Sequence, residues 1–131
     1  MIQQRKKDYL QRLIEEFFKK LQQAINENRL LSDLEQKAML DECFDFYSTN
    51  FNASREDRAT SLMEKINEIE LLEQYAKLLM LEFDITEKKD KSRLREAFDI
   101  VDYIQKTDTT YSWERTVLRE DLLHRLDETL M

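Results

Sequence analysis

A chain of 131 residues fits one domain and can bury roughly two-thirds of the surface its unfolded form exposes, so it needs no disulfide or metal to hold it together. It has no Gly and no Pro, which removes the commonest residues of tight turns and φ > 0 positions and leaves helices joined by short polar loops. The charged fraction of 37% with a net charge of −7 works against nucleic acid and anionic membranes as partners, while 41% hydrophobic residues argue against disorder.

The expected fold class is therefore all-α: a single domain, 1–131, built as a bundle of five to six helices near 2–27, 33–47, 55–67, 70–83, 92–106 and 112–128. In the first, Tyr9, Leu10, Leu13, Ile14, Phe17, Phe18, Leu21, Ala24 and Ile25 recur at three- and four-residue steps over an arc of about 180°. At 1.5 Å per residue this helix would be on the order of 38 Å long. It either crosses the whole bundle or projects its Ile2 to Lys7 end toward a partner.

Ser32-Asp33-Leu34-Glu35 has the form of a capping box and predicts the second helix start. Met39, Leu40, Cys43, Phe44, Phe46 and Tyr47 form its apolar arc. Ser48-Thr49-Asn50-Phe51-Asn52 is expected to dissolve the helix, because these side chains compete for backbone bonds. Ser54-Arg55-Glu56-Asp57 offers the next start, as does Ser61-Leu62-Met63-Glu64. Leu62, Met63, Ile66 and Ile69 lie on a different side from Leu72, Tyr75, Ala76 and Leu79, so a break is predicted near Asn67.

The segment from Glu70 to Phe83 is the most apolar helix and reads as the centre of the bundle. Asp84 to Lys91 is a polar loop, and Asp90 or Ser92 can cap the next helix, whose stripe is Leu94, Ala97, Phe98, Ile100, Val101 and Ile104. The two helices make an antiparallel hairpin by the short-connection rule. Ser112-Trp113-Glu114 starts the last helix, with Leu118, Leu122, Leu123, Leu126 and Leu130 as its core stripe.

Asp8-Tyr9-Leu10-Gln11-Arg12-Leu13-Ile14-Glu15-Glu16 and Thr110-Tyr111-Ser112-Trp113-Glu114-Arg115 resemble the two ends of an uncharacterised family of small bacterial helical proteins with a helical hairpin between those ends. The hairpin itself resembles a degenerate tetratricopeptide unit (TPR-like), with Ala76 at the helix crossing and Leu94, Phe98 and Val101 as the apolar ladder. The loop is several residues too long for that repeat, and the crossing Gly and terminal Pro are missing. The resemblance implies a protein-binding surface and assigns no activity.

No residue pattern signals catalysis. Cys43 lies on an apolar arc beside Asp41, Glu42 and Asp45, the opposite of the cationic surroundings a thiolate needs, and reads as inert core. Without Gly there is no phosphate-cradling loop. No cofactor is expected, and no catalytic, cofactor-binding or metal-ligating residue is assigned.

The single His124 follows Glu120 and Asp121 at i−4 and i−3, a fragment of a di-iron bundle motif that lacks its second histidine. A solvated surface histidine is the preferred reading. The alternative is a metal-binding or enzymatic protein whose site around Glu120, Asp121 and His124 is completed at a dimer interface. Lys88, Lys89, Lys91, Arg93 and Arg95 form a basic cluster without aromatic interleaving, read first as a solubilising loop and second as a site for an anionic partner.

Trp113 and Val117 lie about 100° or more from most of the leucine stripe, and His124 joins their side. Tryptophan is enriched at interface centres. The preferred reading has Trp113 folded back to close the core; the other makes Trp113, Val117 and His124 a partner-binding face. Phe44, Phe46, Tyr47 and Phe51 carry the same choice, core first and peptide groove second.

The expected function is a non-catalytic protein–protein interaction or scaffold module acting through exposed helix faces. Its partner is a protein of unstated identity, with a homodimer through the first or last helix as one form, and with no nucleic acid and no membrane. The lone cysteine and the charged, leaderless start at Met1 to Arg5 suggest a cytoplasmic location.

Overall fold

The computed structural model describes residues 8, 9, 11, 12, 15, 16, 19, 33–66, 68–86, 90–108 and 110–128. Five helices account for most of them: α1 (Asp33–Phe51), α2 (Ala59–Lys65), α3 (Ile69–Ile85), α4 (Lys91–Thr107) and α5 (Trp113–Glu128). No strand occurs among the described residues, and the fold is all-α. No helix among them is long and apolar enough to cross a membrane. The chain groups into two compact units, Met1–Ser54 and Arg55–Met131.

In the first unit the described positions between 8 and 19 are helical. The rest of the 2–27 expectation, including the Ile2 to Lys7 end, and the Ser32 cap lie outside the described residues. Tyr9 stacks on Phe46 of α1 with ring centroids 5.5 Å apart and planes 26° from parallel. Leu40, Cys43, Phe44 and Tyr47 are buried, on the arc that the three- and four-residue spacing marks out.

Helix α1 runs one turn beyond the predicted end at Tyr47. Asn50 does compete for the backbone, but its Nδ2 donates to the Phe46 carbonyl one turn back, at 2.9 Å, a bond that the helical conformation itself permits. The Tyr47 and Phe51 rings meet at 5.9 Å and pack that extra turn. The stop is Asn52, at φ 56°, the only positive φ among the described residues. Its amide donates to the Ser48 carbonyl at 3.1 Å, the αL closure in which glycine is the usual residue.

In a chain without glycine, asparagine fills that role because its short polar side chain tolerates αL. Asn52→Gly should therefore be neutral or stabilising by up to about 1 kcal/mol. Asn52→Val should cost about 1–2 kcal/mol. Urea denaturation monitored by circular dichroism ranks the three proteins, and a valine variant as stable as the asparagine parent would contradict this closure.

The second unit begins with a loop held by side chains. Arg55 Nη1 donates to Glu82 Oε2 at 3.2 Å, Arg93 Nη1 donates to the other oxygen of the same carboxylate, and Arg93 Nη2 donates to the Arg55 carbonyl. Helix α2 starts at Ala59, later than the Ser54 signal suggests. Arg58 at its N-cap supplies no side-chain bond, and the Ala59 amide instead donates to Glu96 Oε2 of α4, so a neighbouring helix satisfies one of the orphan donors. Lys65 closes α2 with an ion pair to Asp57 at 2.7 Å.

The chain breaks between Lys65 and Ile69, and α3 takes up a new buried face of Leu71, Leu72, Tyr75, Ala76, Leu78, Leu79 and Met80. Helices α3 and α4 make the most extensive pairing, and their connection of a few residues requires them to be antiparallel. Within this unit the helix that packs on all the others is α4, which meets α2, α3 and α5. The expectation that 70–83 would be central follows from its apolarity, but α4 has a neighbour joined at each end. Its Leu94, Ala97, Ile100, Val101 and Ile104 are each 0% exposed.

Asp90 caps α4: Oδ1 accepts from the Ser92 amide at 3.0 Å and from the Ser92 hydroxyl at 2.6 Å. Both bonds favour the ionised form and hold the Asp90 carboxyl below its ordinary range, side-chain bond first. A lowered folded pKa contributes stability that is complete above the unfolded value of 3.8 and is lost as pH falls through the folded value. Asp90→Ala should cost about 1 kcal/mol at pH 7. The gap between parent and variant should narrow below pH 3.8 in pH-resolved denaturation; a gap constant to acid pH would refute the ionised cap.

Candidate interaction surface

Helix α5 carries the three sequence candidates, and its placement starts in the turn before it. The Asp108 carboxylate accepts from the Thr110 amide at 3.1 Å, an Asx-type turn, and this bond first, then Arg115, keeps its pKa low. Ser112 then caps the helix, its hydroxyl oxygen accepting from the Arg115 amide three residues on at 3.2 Å. Thr116 donates from both its amide and its hydroxyl to the Ser112 carbonyl, at 3.1 and 3.0 Å.

Arg115 fixes the rotation of the helix. Only 7% exposed, it donates from Nε to Glu73 Oε1 of α3 at 2.7 Å and from Nη2 to Asp108 Oδ2 at 3.2 Å. One guanidinium thus joins the starts of α3 and α5 to the end of α4. At the other end, Arg125 meets Asp84 in a two-pronged pair, both contacts 2.7 Å. The two arginines are ten positions apart on α5 and their partners eleven apart on α3, so α3 and α5 run parallel, with α4 antiparallel to both.

These rungs define what faces outward. Leu118 and Leu122 are buried, at 4% and 0%, on the side of Arg115, and Leu123 and Leu126 are half-buried. Leu130 lies outside the described residues. Two residues before Arg115 the chain points away from the core, and Trp113 is 67% exposed; one turn on, Val117 is 38% exposed. His124 is also exposed. The preferred expectation that Trp113 folds back to close the core is corrected: Arg115 occupies the inward position at the helix start, and about 160° separates it from Trp113 on a 100° wheel.

At that spacing Trp113, His124 and Val117 fall within about 40° of one another. Glu120 and Asp127 flank them on one side, and Asp121 and Glu114 on the other. Glu114, Glu120 and Asp127 are exposed and Asp121 is half-exposed. No lysine or arginine of α5 belongs to this arc of about 140°. Arg115 and Arg125 are engaged with α3, and Arg119 lies over the Phe98 ring of α4 at 5.2 Å.

The other candidates are not on this surface. Phe44 and Tyr47 are buried in the first unit, with Phe46 and Phe51 half-buried. Cys43 is 1% exposed, and burial, reinforced by Glu42, pushes its thiol up to about 12. A thiol so placed is a poor nucleophile.

Of the basic cluster, Lys91 is half-exposed. Arg93 turns inward to Glu82, Arg95 is exposed, and Lys88 and Lys89 lie outside the described residues. No group of three or more His, Cys, Asp or Glu side chains is placed to hold a metal ion among the described residues, Glu120, Asp121 and His124 included.

Arg115 is the residue that sequence reasoning missed. A signal was present: it precedes Leu118 by three and Leu122 by seven, on the apolar stripe. No family model, curated protein or solved structure matches this chain.

Proposed function

We propose that the protein is a non-catalytic interaction module that binds a protein partner through the outward face of α5. The observation that carries this reading is the exposure of Trp113 at 67% and Val117 at 38% on consecutive turns of a helix whose opposite side is anchored by Leu118, Leu122 and the buried Arg115. Tryptophan brings a large apolar area with little rotamer freedom to lose, which is why it concentrates at the centres of binding sites. A rigid helix presenting such an anchor, with charged neighbours around it, has the make-up of a helix-face recognition site: an apolar centre and a polar rim.

The electrostatics of the titratable core agree with a structural role for its charges. Glu82, held by Arg55 and Arg93, and Glu73, held by Arg115, serve to fasten elements together. Burial raises the Tyr75 hydroxyl well above its ordinary pKa, the direction opposite to that of an acid–base catalyst working near neutrality.

The test is capture of partners from lysate by the tagged native protein and, in parallel, by a Trp113→Ala, Val117→Ala double variant. Both sites are exposed, so the variant should keep its helical circular dichroism and lose no more than about 0.5 kcal/mol per site. A partner held by the native protein and lost by the folded variant is the expected result. A partner held equally by both removes this face from the function.

A further inference from the structure

We infer that the occupant of the α5 face is a basic amphipathic helix of a partner protein, laid along the Trp113, Val117 and His124 seam. This rests on the interaction reading above and adds the chemistry of the partner to it. From Trp113 to His124 the seam rises through eleven residue steps, about 16 Å or three helical turns, a length suited to another helix. Carboxylates border it on both sides, Glu120 and Asp127 along one edge and Glu114 and Asp121 along the other, three of the four exposed.

No cation of α5 itself lies on this arc. Arg115 and Arg125 are paired with Glu73 and Asp84 of α3, and Arg119 lies over the Phe98 ring, so each positive charge of α5 is engaged with a neighbouring helix. A partner with apolar residues at three- and four-residue spacing and lysines or arginines beside them would meet Trp113 and Val117 with the first and the two acidic edges with the second. Such matching sets orientation and speeds association.

A second copy of this chain is the poorer occupant. A two-fold contact would set the same patch against itself, carboxylates facing carboxylates with no cation of the arc between them. The net charge of −7 adds to the repulsion.

The experiment uses Trp113, the only tryptophan, as its reporter. Three 18-residue peptides without tryptophan are titrated into the full chain: leucines at helical spacing with lysines elsewhere, the same leucines with glutamates, and the lysine peptide scrambled to lose its stripe. The first alone should shift Trp113 emission to the blue and saturate. Its affinity should fall with added salt, and Glu120→Lys with Asp127→Lys should weaken it at least about tenfold.

Equal binding of the lysine and glutamate helices would overturn the charge assignment while leaving the docking face in place. Equal binding of the scrambled peptide would reduce the contact to non-specific attraction and overturn the inference. A blue shift that grows with protein concentration alone would make a second copy the occupant. No shift with any peptide would overturn this inference, while the interaction reading beneath it stands or falls with the capture experiment.

Discussion

Ile100→Ala should lower the unfolding free energy of the second unit by about 3 kcal/mol, inside the 2–5 kcal/mol range of buried aliphatic truncations. Ile100 is 0% exposed and sits in the middle of α4, the helix that packs on α2, α3 and α5. Removing its outer carbons leaves a void between helices that are themselves tied together by Arg115 and Arg125, so little collapse can refill it. For a unit of this size the melting temperature should fall by roughly 15 °C.

Tyr103, 41% exposed on the same helix, is the control. Tyr103→Ala should cost less than about 1 kcal/mol. Urea denaturation with an unchanged m-value compares the two. Equal effects at the two positions would mean that α4 is not enclosed by its neighbours.

Arg115→Ala should cost about 3 kcal/mol, the lower end of the range for removing one partner of a buried ion pair. The lower end applies because the side chains of Glu73 and Asp108 keep 16% and 25% of their exposure and retain some hydration. The cost arises chiefly from Glu73, left with its charge and without its guanidinium. Glu73→Gln in the same chain should therefore recover part of the loss, a coupling that a double-mutant cycle measures directly.

Arg115→Lys should not rescue the protein fully, since one ammonium cannot reproduce the fork that serves two carboxylates on different elements. The same variants test how the α5 face is held, because Arg115 and Trp113 are two positions apart and share the first turn. Strictly additive Arg115 and Glu73 effects would contradict the bridge.

Much of the fold can be read from spacing alone. Of the stripe Leu94, Ala97, Phe98, Ile100, Val101 and Ile104, all but Phe98 are buried, Phe98 being half-buried under Arg119, and the change of face between Ile66 and Leu72 marks the break between α2 and α3. At the start of α2 the local rule failed because a partner distant in sequence satisfies the helix end. Glu96 supplies the first amide of α2 with an acceptor 37 positions away, and the helix starts at Ala59, past Ser54. The extra turn of α1 depends on Asn50 bonding within the helix and on the Tyr47–Phe51 contact, where composition suggested a loop.

The candidate surface was half legible. Trp113, Val117 and His124 can be grouped by their wheel positions, but whether that group faces in or out depends on Arg115. A charged residue on an apolar stripe is inward only if carboxylates meet it. Glu73 and Asp108 do, and they lie 42 and 7 positions away.

The central claim is that the Trp113 side of α5 is open to a partner, and acrylamide quenching of Trp113 fluorescence in the isolated chain tests it most directly. Across a wide range of protein concentration, Trp113 should show the emission of a solvated indole, quenched nearly as readily as a free tryptophan derivative and independent of concentration. Blue, quencher-protected emission at the lowest concentrations would place Trp113 in the chain's own core and contradict the account.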